Sequence, residues 1–197
     1  KTAAFVLPIL QRMTEPMIVD GKKAHPTALV VTPTRELCGQ IEEVGETLAT
    51  YSGRRVVAVF GGVPYDPQAK RARKGVDLLV ATPGRLLDHF ERGKLLLTGV
   101  QIMVVDEADR MLDMGFLPVV RRIVRLIPRD RQSMLFSATF APELQKLAAE
   151  MLRNPARIEV GNGAPPSSIA HALYPVSQHL KTPLTLELIK RSNAFSA

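Results

Sequence analysis

The chain has 197 residues, of which 46% are hydrophobic and 23% charged, enough for one globular domain with a sizeable core. Its one cysteine, Cys38, excludes an internal disulfide, favours a reducing compartment and suits a small core position. No apolar run approaches the roughly 20 residues that span a bilayer, so we expect a cytoplasmic protein without a membrane partner. The 26 Lys and Arg exceed the 19 Asp and Glu, and the net charge of +7 favours a polyanionic partner such as nucleic acid.

Short apolar runs alternate with longer amphipathic ones along the chain. The predicted strands are residues 28–32, 55–60, 77–81, 102–106 and 133–137. The predicted helices are residues 35–51, 67–73, 83–92, 117–126 and 142–151. The strands are rich in Val and Leu with little alternation, as in a parallel sheet that helices cover on both faces. The sequence therefore predicts an α/β fold with a doubly wound, mostly parallel sheet.

The C-terminal part of the chain has a different composition. Residues 156–160 are strand-like, and residues 161–168 are dense in Gly, Pro and Ser, which is typical of a linker. Beyond the linker, residues 170–176 resemble a strand and residues 180–191 a helix. We therefore expect a first domain over residues 1–160, a linker over 161–168, and the incomplete start of a second domain over 169–197.

An acidic motif follows the fourth predicted strand. Asp106 and Glu107 stand at its carboxyl end, where ligands bind in open α/β sheets, and Asp109 comes three residues after Asp106. A carboxylate there suits a nucleotide-bound Mg²⁺, and a neighbouring Glu could orient and deprotonate an attacking water. The alternative is an acidic turn at a helix N-terminus, where negative charge is favourable.

Hydroxyl residues follow the next predicted strand. Ser137 and Thr139 could hydrogen-bond Asp109 across the sheet edge and so couple a nucleotide site to movement. They could equally cap the helix that follows, and for these two residues alone the cap is the favoured interpretation.

Three further strand ends have the chemistry of phosphate sites. Two of them place Thr34 or Thr82 at a predicted helix N-terminus, with backbone N–H groups and an Arg beside it. At the third, glycines permit close backbone approach to a ligand. The candidate residues are Pro33, Thr34, Arg35, Gly61, Gly62, Thr82, Pro83, Gly84 and Arg85. Each turn has an ordinary structural alternative, but a row of such sites suits a nucleic-acid backbone.

Taken in order, the motifs PTREL, GG, TPGR, DEAD and SAT resemble those of the DEAD-box ATP-dependent RNA helicase family of superfamily 2. The resemblance covers nearly all of residues 1–191, and residues 62–77 are similar to the bacterial RhlE-like branch. It implies the first RecA-like domain of a P-loop NTPase, with ATP and Mg²⁺ as cofactors and RNA as the partner. The expected activity is ATP hydrolysis coupled to local unwinding of RNA duplexes.

The resemblance also implies roles for single residues. Asp106 matches the carboxylate that directs Mg²⁺, and Glu107 the residue that activates water for attack on the γ-phosphate. Asp109, Ser137 and Thr139 match positions that link hydrolysis to strand separation. The candidate phosphate contacts match positions that touch the RNA sugar-phosphate backbone without reading its sequence.

The first two residues resemble the end of a phosphate-binding loop, GxxxxGKT. By that resemblance Lys1 would reach the β- and γ-phosphates, and Thr2 would hold Mg²⁺, partly through water. The glycines of such a loop, the strand before it and the family's Q motif do not precede Lys1 in this sequence. We therefore expect a piece of the domain truncated at both ends and inactive by itself.

Two alternatives to an RNA helicase stay open. One is a catalytically silent clamp that binds RNA without turnover, and the other is a DNA-directed helicase of the same superfamily. The sequence does not name the RNA substrate. Candidate protein partners are ribosome-assembly or RNA-decay factors.

Overall fold

The structure of the chain is a computed structural model that describes residues 1–13, 25–160 and 172–191. It divides into two compact units, Lys1–Pro155 and Ala156–Ala197. The predicted linker at residues 161–168 lies outside the described residues. None of the described helices is both long and apolar enough to cross a membrane.

The first unit is built on a five-stranded, fully parallel sheet with the order β2-β3-β1-β4-β5. The strands are β1 (Ala28–Val31), β2 (Val56–Val59), β3 (Leu78–Ala81), β4 (Ile102–Val105) and β5 (Gln132–Leu135). The helices are α1 (Thr2–Arg12), α2 (Arg35–Ala49), α3 (Tyr65–Arg73), α4 (Pro83–Glu91), α5 (Ala108–Asp113), α6 (Leu117–Leu126) and α7 (Pro142–Met151). The predicted α/β class, all five strands and the five predicted helices are confirmed, and the structure adds α1 and the short α5.

Alternating side chains of the strands pack into two apolar cores, one on each face of the sheet. Leu29, Val57 and Met103 belong to the core that also contains residues of α4, α6 and α7. Val30, Ala58 and Val104, each one residue further along, belong to the core formed with α1 and α2. Burial on both faces explains why these strands are almost uniformly apolar, as expected for a parallel sheet. Both cores leave the ends of the strands free to carry polar loops.

Local sequence signals set the starts of two helices next to the site. Thr34 is the N-cap of α2, and its hydroxyl oxygen accepts a hydrogen bond from the Leu37 N–H at 3.2 Å. Pro83 opens α4, where its missing N–H is not needed. Thr82 occupies the N-cap position of α4 but makes no capping bond with its side chain. The predicted Thr34 cap is confirmed, and Thr82 caps by position only.

The second unit departs from the sequence-based expectation. The predicted strand at residues 156–160 is wrong: this segment is irregular, and Ile158 and Val160 are 84% and 93% exposed. Residues 172–176 are also irregular, so the strand predicted at 170–176 does not form there, and residues 170 and 171 lie outside the described residues. A strand needs a partner for its backbone groups, and β-propensity alone does not supply one. The predicted helix is confirmed as α8 (Lys181–Arg191).

Candidate functional site at the carboxyl edge of the sheet

The carboxyl ends of all five strands lie in one row. The register pairs the last residue of each strand with the last residue of its neighbour, in the order Val59, Ala81, Val31, Val105 and Leu135. The loops that follow therefore leave the sheet at the same edge, which is where α/β proteins bind ligands. Along that edge the predicted phosphate contacts follow β2, β3 and β1, and the acidic and hydroxyl motifs follow β4 and β5. The five predicted motifs thus form one site with two halves.

In the first half, the loops after β1 and β2 approach each other closely. A Cβ atom placed on Gly62 would lie 3.2 Å from Arg35 Nη1, so a side chain there would have to displace that guanidinium by a few tenths of an ångström. Gly62 also has a φ of +80°, a conformation that other residues rarely adopt. Arg35 itself is 61% exposed and pairs with Glu36 at 2.7 Å. The predicted residues Arg35 and Gly62 are therefore neighbours, and the Arg35 guanidinium is accessible.

The loop after β3 joins the same surface. Arg85 donates a hydrogen bond from Nη2 to the Val63 carbonyl oxygen at 3.0 Å. This bond connects α4 to residues 60–64, the loop between β2 and α3, which we call the glycine loop. Its side chain is only 14% exposed, in contrast to that of Arg35. Gly84 is exposed and has open space around the position of its missing Cβ atom. Pro33 and Pro83 are buried, unlike the exposed Arg35 and Gly84, so these two predicted residues shape the turns.

In the second half, Asp106 lies almost fully buried at the end of β4. Its Oδ1 accepts a hydrogen bond from the Glu107 N–H at 3.0 Å. Burial raises the pKa of Asp106, while the positive charge of Lys1 acts in the opposite direction. The charge of Lys1 is therefore close enough to act on Asp106.

Glu107 has an unusual backbone conformation. Its φ of +52° and ψ of +51° lie in the left-handed region, which is unfavourable for a residue with a side chain. The side chain is about one third exposed, and Oε2 lies 3.4 Å from Arg110 Nη1. Such strained residues concentrate at functional sites. The alternative of an acidic turn at a helix N-terminus also describes this segment, since Glu107 is the N-cap of α5 and Asp109 lies in its first turn, although Glu107 makes no capping bond with its side chain.

The acidic and hydroxyl motifs are hydrogen-bonded to each other. Asp109 Oδ2 accepts from the N–H groups of Ala138 and Thr139 at 3.1 and 3.0 Å and from the Thr139 hydroxyl at 3.3 Å. In return, the Asp109 N–H donates to Ser137 Oγ at 3.1 Å. The favoured interpretation of Ser137 and Thr139 as helix caps is wrong, because α7 begins only at Pro142 with Ala141 as its N-cap. The predicted link to Asp109 is confirmed.

These hydrogen bonds set the charge state of Asp109. Partial burial alone would raise its pKa, but the N–H groups of Thr139, Arg110 and Ala138 and the Ser137 hydroxyl hold the pKa below its ordinary value of 3.8. Asp109 is therefore ionised at neutral pH.

Lys1 and Thr2 begin α1, so both stand at a helix N-terminus, where anions bind favourably. The described residues contain no group of three or more His, Cys, Asp or Glu side chains that could hold a metal ion by themselves. A buried carboxylate that feels the charge of Lys1 instead fits a Mg²⁺ that a nucleotide brings with it, since Mg²⁺ commonly takes few protein ligands.

Sequence reasoning missed the residue that anchors the glycine loop. The buried Gln68 side chain accepts from the Phe60 N–H at 2.8 Å and donates to the carbonyl oxygens of Phe60 and Pro64. The one available signal was its spacing of four residues from Ala72, which places a polar side chain on the buried side of α3. Cys38, by contrast, is a core residue as expected, and burial raises the pKa of its thiol to about 12.

The fully parallel five-stranded sheet with helices on both faces is that of a RecA-like domain. The family model for the DEAD/DEAH box helicases matches residues 1–147. The chain belongs to the DEAD/DEAH box helicase family.

Several relatives agree with that assignment. The chain is 42% identical to DEAD-box ATP-dependent RNA helicase 52A of Oryza sativa, with 98% of this chain and 35% of the rice protein covered. It is 40% identical to ATP-dependent RNA helicase RhlB of Pseudomonas aeruginosa, with 98% and 50% covered. The crystal structure of the yeast DEAD-box splicing factor Prp28 superimposes with a TM-score of 0.73 at 33% identity, covering 82% of this chain and 40% of Prp28.

The chain thus spans about a third to a half of the length of these relatives. RhlB proteins of several Pseudomonas species are among them. The finer assignment to the RhlE-like branch stays a prediction.

Proposed function

We propose that this chain is the ATP-binding motor domain of an ATP-dependent RNA helicase. In this proposal the domain binds ATP with Mg²⁺ at the β4–β5 end of the site and the RNA backbone at the β2-β3-β1 end. Hydrolysis is coupled to local separation of RNA strands. The observation that carries the proposal is the single row of strand ends, which supports it because both proposed halves would then share one sheet.

At the nucleotide half, each residue has a distinct proposed role. Lys1 neutralises phosphate charge, and Asp106 with Thr2 holds Mg²⁺, which would withdraw charge from the phosphates. Glu107 orients the attacking water and accepts its proton. The left-handed backbone of Glu107 supports this role, because it directs the side chain from a fixed position at the end of β4.

At the RNA half, the proposed contacts are with phosphates and not with bases. The exposed guanidinium of Arg35, the close-approach position of Gly62 and the open surface at Gly84 suit a sugar-phosphate backbone. Few aromatic residues are available for base stacking, since the chain has no Trp and only three Tyr and seven Phe. Binding that does not depend on sequence follows.

The hydrogen bonds of Asp109 connect the two motifs at β4 and β5. Because Asp109 follows the proposed nucleotide residues by two positions, a shift of the loop after Glu107 would move Ala138 and Thr139 with it. This supports Asp109, Ser137 and Thr139 as the residues that transmit the nucleotide state.

The sharpest test is Glu107→Gln in the full-length protein. The change keeps the shape of the side chain but removes the base and one charge, so we expect RNA-stimulated ATP hydrolysis to fall by about a hundredfold or more. Binding of a non-hydrolysable ATP analogue should change by less than about threefold. Steady-state hydrolysis close to wild type would overturn the role of Glu107. The matched control is Asp113→Asn, which changes another acidic residue, the last one of α5. It should leave hydrolysis unchanged.

The same assay separates the alternatives. An RNA-binding clamp would bind RNA without hydrolysing ATP even as wild type, and a DNA-directed helicase would be stimulated more by DNA than by RNA.

We also propose a cytoplasmic location, which the single buried Cys38 thiol supports. Ribosome-assembly or RNA-decay factors remain the proposed protein partners.

A further inference from the structure

A compact group of side chains joins the glycine loop after β2 to helix α4. We name it the Tyr65 cluster, and its members are Tyr65, Arg85, Asp88, His89 and Arg92. Tyr65 begins α3 directly after the glycine loop, and the other four belong to α4 or to its C-cap. Sequence analysis assigned a function only to Arg85, so the other members are additional to the site described above.

Two side chains of α4 and its C-cap contact the Tyr65 ring. The ring stacks on the His89 ring with centroids 4.2 Å apart and an interplanar angle of 19°. The guanidinium carbon of Arg92 lies over the same ring, 4.4 Å from its centroid. Burial, followed by the charge of Arg85, lowers the pKa of His89 to about 4, so His89 is neutral and adds no third positive charge.

The arginines of the cluster are fixed by one carboxylate. Asp88 Oδ1 lies 2.6 Å from Arg92 Nε, and Asp88 Oδ2 lies 3.9 Å from Arg85 Nε. Arg85 in turn donates from Nη2 to the Val63 carbonyl oxygen. The result is a closed chain of contacts that runs from the glycine loop through Arg85, Asp88 and Arg92 to Tyr65 and back to the start of α3.

Three buried polar atoms of the cluster have no hydrogen-bond partner within the described part of the chain: Tyr65 Oη, Arg85 Nη1 and His89 Nε2. Leaving such groups unpaired is costly, and native proteins keep few of them. A Phe at position 65 would fill nearly the same space without one of these costs. The hydroxyl therefore adds nothing to the stability of the fold, and what Tyr65 contributes is the contact of its ring with His89 and Arg92, which joins the start of α3 to α4.

We propose that Tyr65 is a positioning residue for RNA binding, which holds the Gly61-Gly62 loop and Arg85 in the relative placement that one RNA backbone requires. This inference rests on the proposed function. The part that matters is the aromatic ring that contacts His89 and Arg92, and not the Tyr65 hydroxyl. His89 and Arg92 act through Tyr65 and need not touch RNA themselves.

The test measures RNA-stimulated ATP hydrolysis of the full-length protein as a function of RNA concentration. Tyr65→Ala should raise the RNA concentration for half-maximal stimulation about tenfold, with kcat at saturating RNA within twofold of wild type. Tyr65→Phe keeps the ring and should restore wild-type RNA dependence with an equal or higher unfolding temperature. Tyr51→Ala is the matched control, because Tyr51 is 99% exposed and lies outside the cluster; it should change nothing.

The outcomes are distinct. If wild type shows no stimulation by RNA, the proposed function fails. If wild type is stimulated and Tyr65→Ala behaves like it, only the positioning role is overturned. A loss of kcat with unchanged RNA dependence, or a Tyr65→Phe variant as weak as Tyr65→Ala, also contradicts it. Should Tyr65→Ala not fold, Arg92→Ala removes an exposed side chain from the same ring, and we then expect a roughly threefold weaker RNA dependence.

Discussion

At the scale of single residues, the two arginines of the RNA half differ in what they are free to do. The Arg35 guanidinium is 61% exposed, whereas the Arg85 side chain is 14% exposed and already bonded to the glycine loop. The bond between Arg35 and Glu36 is a pair of exposed charges, which is worth little and is easily exchanged for a phosphate. Arg35 is therefore the better candidate for direct contact, and Arg85 holds the proposed RNA surface together through its bond to Val63.

We expect Arg35→Ala to weaken RNA binding about equally for all RNA sequences. Loss of one phosphate contact should reduce the slope of log K against log salt by roughly one. Arg125→Ala is a matched control, because Arg125 is an exposed arginine near the end of α6 rather than at the carboxyl edge of the sheet. Filter binding or fluorescence anisotropy at several salt concentrations measures both. If one RNA sequence lost affinity while others kept it, Arg35 would read bases instead.

At the scale of elements, the junction between the loops after β4 and β5 depends on one charge. Asp109 Oδ2 receives three hydrogen bonds from the chain around Thr139, and these bonds are strongest while the carboxylate is ionised. A carboxyl whose pKa is lowered by folding stabilises the folded state above its unfolded pKa. That contribution is lost as the pH falls through the lowered folded value.

We therefore expect Asp109→Asn to lower the unfolding temperature at neutral pH, and the difference from wild type to disappear in acid, below the ordinary Asp pKa of 3.8. Hydrogen exchange of the Ala138 and Thr139 amides should become about tenfold faster in the variant. Thermal unfolding between pH 3 and 7 and exchange mass spectrometry measure the two effects. Asp113→Asn serves as the control. Asp113 makes none of these bonds, so its replacement should not change the unfolding temperature or the pH dependence of that temperature. A difference that persisted in acid would mean that the lost contact is not electrostatic.

The sequence predicts an element well when the residue pattern of that element determines its structure. It predicts the element poorly when the structure depends on a partner elsewhere in the chain. The four buried strands carry their own signal, since runs such as residues 28–31 are uniformly apolar, and these four and the more exposed β5 were predicted to within two residues. Residues 156–160 were also predicted as a strand, but they pair with no strand in the described part of the chain and are irregular. The Asp109 bonds and the Tyr65 cluster join residues about 20 to 30 positions apart, so no local sequence pattern predicts these contacts.

At the scale of the whole molecule, the two units differ in what they bury. Every buried side chain among the described residues belongs to Lys1–Pro155, and α8 has none. The two apolar cores of the first unit use residues from Phe5 to Met151. Burial of apolar surface is the main source of stability, so the first unit carries the stability of the described chain.

We expect removal of residues 156–197 to leave the unfolding temperature of the first unit within about 3 °C, the shift that roughly 1 kcal/mol produces in a domain of this size. Differential scanning calorimetry of the chain and of a variant ending at Pro155 measures it. A second variant ending at Lys146 is the matched comparison, because it also removes Leu147 and Met151, which are buried in the core beside α6. Losing two such side chains should cost about 4 kcal/mol or more and lower the unfolding temperature by at least about 10 °C. If the Pro155 variant were destabilised as much as the Lys146 variant, the cores described here would not be sufficient to hold the first unit together.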